Sequence, residues 1–445
     1  MDQDTLIILG LGAGLVVLAT LPFLWRIRRL ERRAVAAAEQ AERYGLHEPV
    51  SLHPVVNPGD CIGTGACVSV CPEGDVLGLR HGQAQVIAPA RCVGHGLCER
   101  ACPTQAITLV FGTATRGVEI PRVKGDFETN VPGLFIIGEL GGMGLIRNAF
   151  EQGRQCVEGI AKRRSKAGAH RPQDGQGTLD VLIAGAGPAG LSASLHCQRL
   201  GLTFRTIERE DVGGTVRYYP RKKIVMTQPM EIPGWGKLRE KEIPKERLVD
   251  LWADVIAKTG ITVATEEMVQ RVEPHPGGGF RVATTKGEYR ARYVILAIGR
   301  RGIPRKLGIP GENLPKVSYS LLEPEAYTGD RIVVVGGGDS AVEAAIALAD
   351  QPGNEVWLSY RQAQFSRIKS GNQRRIDEAM TTGKVKPLWQ TNLAEITSTD
   401  VAYKDAGGAV HRIPNSQVFV FAGGEMPTGF LRACGVQIET KFGER

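Results

Sequence analysis

The segment Asp180-Val-Leu-Ile-Ala-Gly185-Ala-Gly187-Pro-Ala-Gly190 decides the fold of this chain. A strand-like apolar run enters three glycines at G-x-G-x-x-G spacing, and a stretch of helical periodicity follows. The first glycine suits a tight turn, the second lets backbone approach a pyrophosphate, and the third lets the helix pack on the strand. Strand-type residues return at Phe204 to Ile207 and end on Glu208, 23 residues after Gly185. A carboxylate there suits an adenosine ribose. Together these features predict a dinucleotide-binding fold with Gly185, Gly187, Gly190 and Glu208 at the cofactor.

A second copy reads Arg331-Ile-Val-Val-Val-Gly336-Gly337-Gly338-Asp339-Ser340-Ala341, with Ala341 at the third glycine position. The strand after its helix, Glu355 to Ser359, ends without an acid and is followed by Arg361. An acid would hold a free 2′-hydroxyl, whereas a cation suits a 2′-phosphate. NADPH is therefore favoured, and NADH stays open. Gly336, Gly338, Ser340, Arg361 and Arg367 are the expected contacts.

Six of the nine cysteines fall between Cys61 and Cys102, in two copies of one pattern. The copies are Cys61-Ile-Gly-Thr64-Gly-Ala-Cys67-Val-Ser-Val-Cys71-Pro72 and Cys92-Val-Gly-His95-Gly-Leu-Cys98-Glu-Arg-Ala-Cys102-Pro103. Thiolates bind iron, and the glycines let backbone wrap a cluster. The repeat resembles that of bacterial two-cluster ferredoxins. That resemblance implies two iron–sulfur clusters, of four-iron or three-iron type. One would be held by Cys61, Cys67 and Cys102, the other by Cys92, Cys98 and Cys71. The second cysteine of each copy is replaced, by Thr64 and by His95. His95 reads either as a fourth ligand or as a bystander at an open cluster corner. A hydroxyl such as that of Thr64 is a poor match for iron in a sulfide cage. Zinc is the remaining alternative, although zinc motifs rarely interleave in this way. Cys156, Cys197 and Cys434 are scattered and read as buried small apolar residues.

The chain has 445 residues, 42% hydrophobic and 23% charged, which is ordinary globular composition for several domains. Its net charge of +8 does not point to nucleic acid. Much of the excess lies in Arg26, Arg28, Arg29, Arg32 and Arg33, directly after the uncharged run Thr5 to Trp25. As a helix that run would span about 31 Å, the thickness of a bilayer core. With the arginines on its inner side, it predicts a single-pass anchor in the cell membrane, in contact with lipid, and catalytic domains facing the cytoplasm. Gly10 and Gly14 permit close approach of a second such helix.

Two dinucleotide folds in one chain, with Ala297-Ile-Gly299 closing a strand before the second, resemble the thioredoxin-reductase-like flavoproteins. Gly213-Gly214-Thr215, Tyr218-Tyr219-Pro220, and Tyr360-Arg361 with Arg367 are most similar to the bacillithiol disulfide reductase and ferredoxin–NADP reductase branches. The resemblance spans residues 113 to 445 and implies FAD, with Gly214 and Thr215 among its contacts. Two departures stand out. Neither position at which such reductases carry a redox dithiol holds a cysteine; Val317 to Leu322 contains none. Thiol–disulfide exchange is therefore not expected. The closing flavin segment of the family, T-x-V-P-G-L-F-x-x-G-D, also comes early here. It reads Thr129-Asn-Val-Pro132-Gly133-Leu-Phe-Ile-Ile-Gly138-Glu139, followed by Gly141-Gly-Met143-Gly144. The resemblance thus implies a circular permutation, with Gly138 and Glu139 facing the flavin and Glu139 in place of an aspartate.

The expected fold is α/β: two Rossmann-like dinucleotide-binding domains, a small α+β ferredoxin-like domain and one N-terminal transmembrane helix. The expected boundaries are 1–34 for the anchor, 50–112 for the ferredoxin domain, 113–313 with 415–445 for the FAD domain, and 314–414 for the NAD(P) domain. The expected activity is electron transfer between NAD(P)H, FAD and iron–sulfur clusters, with no catalytic side chain, because the cofactors carry the chemistry. The expected assembly is a homodimer, and the terminal partner a redox protein or a quinone. A quinone or small-disulfide reductase, or a non-catalytic redox sensor, is the rival reading.

Overall fold

The computed structural model describes residues 3–43, 49, 52–92, 94–114, 117–141, 145–166, 177–219, 221, 223–227, 229–300, 303–365 and 368–444. Arg367, Met143, Gly144 and Pro220, named above, lie outside the described residues. The chain forms two compact units, one up to Gly117 with Phe442 onward, the other Val118–Lys441.

The first unit opens with helix α1 (Gln3–Arg43). Strand β1 (Leu52–Val56), helix α2 (Ala66–Val70), strands β2 (Leu77–Arg80) and β3 (Gln83–Val86), helix α3 (Leu97–Ala101) and strand β4 (Ile107–Phe111) follow. Antiparallel pairs β1–β4 and β2–β3 enclose a small core of Cys67, Val76, Leu77, Cys98 and Ile107. The C-terminal residues return here, and Phe111 exchanges backbone hydrogen bonds with Gly443 and Glu444.

The expected anchor is corrected. Among the described residues no helix is long and apolar enough to cross a membrane. The apolar run does not stand alone: α1 continues unbroken through the arginines to Arg43. Its later half is a packing element, with Ala34 and Ala41 buried against Ile87 and Ala88. Glu31 also accepts the His81 backbone N–H at 2.9 Å. The lipid contact and the membrane placement fall with the anchor.

The second unit contains two parallel-centred sheets. Its chain runs through β5 (Val118–Pro121), β6 (Leu134–Ile136), α4 (Ile146–Lys166), β7 (Thr178–Ala184), α5 (Pro188–Arg199) and β8 (Phe204–Ile207). Short strands β9 (Ile224–Met226), β10 (Met230–Ile232), β11 (Gly236–Leu238) and β12 (Glu242–Pro244) precede α6 (Lys245–Thr259). Then come β13 (Val263–Ala264), β14 (Val269–Pro274), β15 (Phe280–Thr284) and β16 (Glu288–Leu296). The first sheet has the order β13-β8-β7-β16-β15-β14, and β6 pairs in parallel with the end of β16. Alternation sets its two faces. Leu134, Ile136, Leu182 and Leu296 point one way, and Phe135, Ile183 and Ile295 point the other, under α4 and α5. Cys156 and Cys197 are buried in that second face, and Cys434 in the first.

The second sheet is built from β17 (Ile303–Pro304) onward, through β18 (Val317–Ser318), β19 (Arg331–Val335), α7 (Asp339–Ala349), β20 (Glu355–Tyr360), α8 (Ser370–Thr381) and β21 (Val385–Trp389). A meander of β22 (Asn392–Ile396), β23 (Asp400–Lys404) and β24 (Val410–Pro414) leads to β25 (Gln417–Val420), β26 (Gly424–Glu425), α9 (Thr428–Ala433) and β27 (Ile438–Lys441). The order is β18-β25-β19-β20-β21. The structure divides the segment 415–445 that was expected to complete the FAD domain. Strand β25 belongs to the second sheet, whereas Leu431, Cys434 and Val436 pack on the first. Between them, β26 pairs antiparallel with β17 in a separate two-stranded sheet.

Candidate cofactor and iron–sulfur sites

The first fingerprint forms the rim of the first sheet. Gly185 has φ 109°, and a Cβ there would sit 2.4 Å from the Ala297 carbonyl oxygen. At Gly190 a Cβ would lie 1.8 Å from the Gly185 carbonyl oxygen, so the helix closes on the strand only with glycine. Gly187 caps the N-terminus of α5, where unpaired N–H groups and the helix dipole favour a phosphate. Glu208 accepts the Ala186 N–H at 2.7 Å, which fixes its carboxylate beside the turn.

Three further pieces meet this rim. The turn at Gly213–Thr215 comes in through a Gly213 N–H bond to the Ala186 carbonyl, and a Cβ on Gly214 would lie 3.1 Å from the Gly187 Cα. Gly138, with φ 79°, would place a Cβ 3.1 Å from the Ala189 Cβ, which brings the exposed Glu139 to the start of α5. Gln152, buried on α4, accepts the Gly138 N–H at 2.7 Å. Gln152 was not foreseen; its only sequence signal is a polar residue on the inward face of α4.

The second fingerprint has the same construction. Gly336, at φ 141°, would place a Cβ 2.5 Å from the Phe421 carbonyl oxygen, and Gly338 caps α7. A Cβ on Gly337 would strike the Tyr360 ring at 2.1 Å. Ser340 lies in the first turn of α7, and Arg361 is exposed one residue beyond β20. A network missing from the sequence reading surrounds the cap. Asn372 donates to Asp339 at 2.7 Å and to Glu343 at 2.9 Å, and Lys223 donates to Glu343 at 2.8 Å.

In the first unit the six cysteines separate into the interleaved sets. One cavity is lined by Cys61, Cys67, Cys102 and Thr64. The other is lined by Cys71, Cys92, Cys98 and His95. Among the described residues no three His, Cys, Asp or Glu side chains converge to hold a single metal ion; the thiols stand around the cavities instead. Backbone N–H groups point at sulfur, from Ala84 to Cys61 at 3.3 Å, Gly94 to Cys92 at 3.4 Å and Ala106 to Cys102 at 3.2 Å. Such bonds stabilise thiolate and cluster sulfur. Burial pushes the Cys92 thiol up to about 11, and it raises Cys67, Cys71 and Cys98 too. Burial opposes ionisation of Cys102, but hydrogen bonds from Thr104 and the Ala106 and Ile107 N–H groups bring it below its ordinary value. Three thiols set around each cavity, with backbone N–H donors on sulfur, fit an iron–sulfur cluster that would supply positive charge.

Two nucleotide-binding rims on paired sheets, with a ferredoxin-like unit, define a flavin-dependent reductase that carries its own iron–sulfur module. The chain belongs to the pyridine nucleotide-disulphide oxidoreductase family, whose pattern matches residues 182–443. A 4Fe-4S dicluster domain matches residues 53–103. The chain is similar to the ferredoxin–NADP reductase of Ignicoccus hospitalis, 33% identical over 59% of this chain and 83% of that protein. It is 29% identical to the bacilliredoxin reductase Bdr of Bacillus subtilis, over 59% and 82% of the two chains. The solved bacillithiol disulfide reductase Bdr of Staphylococcus aureus superposes with a TM-score of 0.53 at 26% identity, covering 59% of this chain and 82% of that one. The chain is accordingly an NAD(P)H-dependent FAD oxidoreductase of the ferredoxin–NADP reductase type with a 4Fe-4S ferredoxin domain.

Proposed function

We propose that the enzyme moves electrons between NADPH and its own iron–sulfur sites by way of FAD, so that the ferredoxin of a ferredoxin–NADP reductase is built into the chain. The observation that carries this reading is the division of the six cysteines between two cavities, in a reductase whose other cysteines, Cys156, Cys197 and Cys434, are all buried. With no exposed dithiol to receive a pair of electrons, one-electron carriers are the fitting outlet. When bound, FAD takes two electrons as hydride and releases them singly, which the clusters accept.

The residues divide the work of holding the groups. Gly185, Gly187 and the start of α5 cradle the FAD pyrophosphate, Glu208 takes the ribose, and Gly138, Glu139, Gly214 and Thr215 lie along the same rim. Gly336, Gly338 and Ser340 hold the nicotinamide dinucleotide, and Arg361 reads its 2′-phosphate. The cysteine sets hold the clusters. We infer further that β5 to α4 is the closing part of the flavin fold moved ahead of the fingerprint. The parallel pairing of β6 on β16 supports this, as does the unmatched part of the relatives, about a sixth of their length.

Rapid-mixing absorbance tests the proposal. Cys67→Ser and Cys92→Ser should leave flavin bleaching by NADPH intact and abolish reduction of cytochrome c. Normal cytochrome c turnover in both variants would end the electron-transfer reading of the module. Faster turnover with a quinone or a small disulfide than with cytochrome c would favour the rival reductase, and no NADPH oxidation with any acceptor would favour a sensor.

A further inference from the structure

The two cysteine sets are built on matching backbone but end in different chemistry. Gly65 and Gly96 cap α2 and α3 with φ 70° and 66°, and Thr64 and His95 directly precede them. Each therefore projects from the same position relative to its helix, and each lines the cavity of its own three cysteines. Thr64 Oγ1 accepts the Ala66 N–H at 3.4 Å, so its oxygen is engaged in the local turn. Ile62, two residues earlier, lines the same cavity and is 68% exposed. The His95 loop is braced by Arg100, whose Nη2 donates to the His95 carbonyl at 3.0 Å. An imidazole nitrogen is an accepted iron ligand in sulfide clusters, whereas a neutral hydroxyl is a poor one.

Resting on the iron–sulfur reading above, we propose that the two sites hold different clusters. Cys71, Cys92, Cys98 and His95 bind a four-iron cluster with three thiolates and one imidazole. Cys61, Cys67 and Cys102 bind a cluster with no protein ligand at the corner beside Thr64. That corner stands vacant as a three-iron cluster under oxidising conditions and takes up ferrous iron when reduced. The exchange balances: a one-electron-reduced [3Fe–4S]⁰ core and one Fe²⁺ give a [4Fe–4S]²⁺ core with no further electron. Dithionite supplies the single electron.

The test uses the full chain, purified without oxygen and then oxidised with ferricyanide and desalted, with iron and acid-labile sulfide counts and electron paramagnetic resonance. The wild type should hold about seven irons and show one oxidised-state three-iron signal per chain. Thr64→Cys should raise the count to about eight and remove that signal. Thr64→Ala should keep it, because the hydroxyl is not a ligand. Dithionite with ferrous ammonium sulfate should silence it in the wild type. In protein labelled with ¹⁵N-histidine, pulsed measurements on the reduced state should show a nitrogen coupling that His95→Cys abolishes and Thr64→Cys retains. Loss of the three-iron signal in His95→Cys or Thr64→Ala, or no histidine coupling, would overturn the assignment. An iron content near zero would instead sink the iron–sulfur reading beneath it.

Discussion

Gly153 of α4 lies so near Ala189 of α5 that a Cβ on Gly153 would sit 2.5 Å from the Ala189 carbonyl oxygen. Two helices far apart in sequence are thus keyed together at the start of the fingerprint helix. Gly153→Ala should push α4 away, at a cost of about 1–3 kcal/mol from overpacking. The displacement also loosens the Gln152 bond to Gly138. Expected outcomes are a lower melting temperature and sub-stoichiometric FAD, read by absorbance after gel filtration. Full FAD content with unchanged melting would show that the contact is relaxed at no cost.

A rearranged chain tests the permutation. Residues 118–166, carried behind Lys441 by a flexible linker and deleted upstream, should still bind FAD, because among the described residues the strands of this segment pair outside it with the end of β16 and with β27. A protein that folds without FAD would count against the inferred origin of the segment.

Arg361 follows β20 and is exposed, and the strand it follows ends without an acid. Arg361→Ala should raise the KM for NADPH roughly 10–100-fold, the size of a lost charge-assisted hydrogen bond, and change that for NADH little. Steady-state kinetics with both nucleotides decide this; equal changes would mean that the arginine does not read the phosphate.

Glu128 is buried and carries the turn before β6. It accepts from Lys124 at 2.8 Å, from Arg163 at 2.5 Å and from the Gly133 N–H at 3.0 Å. Burial alone would raise its carboxyl, but these hydrogen bonds and the Arg163 charge hold it down at about 2, from an ordinary value of 4.5. A depressed folded value means stability that is present above the unfolded value and lost as pH falls toward the folded one. Wild type should exceed Glu128→Gln by about 2–3 kcal/mol near pH 6. The gap should narrow below pH 4.5 and vanish near pH 2. Melting curves across that range check it; a gap independent of pH would assign the loss to shape alone.

Gly78 of β2 faces α1, and a Cβ there would lie 2.7 Å from the Ala34 Cβ and 3.0 Å from Ile87 Cγ1. Gly78→Val should release the later half of α1. Trypsin should then cut at Arg32 and Arg33 at least tenfold faster, because a released helix opens locally. An unchanged cleavage rate would mean that the helix is held elsewhere.

The short-range chemistry of this protein was legible in its sequence. Both fingerprints depend on residue types at fixed spacing, which local backbone geometry turns directly into turns and caps, and the cysteine sets implied by the ferredoxin resemblance line two separate cavities. Cys156, Cys197 and Cys434, read as buried small residues because they are scattered singly, are buried. The apolar run at the N-terminus misled, because hydropathy counts residues in a window and does not see that α1 continues to Arg43 and packs on β2 and on Ile87 and Ala88. The sheet to which residues 417–420 belong was also beyond reach, since Val418-Phe-Val suits the core of either sheet and only the register against β18 and β19 chooses. The contacts of Gln152 with Gly138, Lys223 with Glu343 and Gly153 with Ala189 join residues whose partners lie 14, 120 and 36 positions away. Sequence fixes what each of these side chains is able to donate, accept or exclude, and the packing of one helix or sheet on another decides which partner comes within reach.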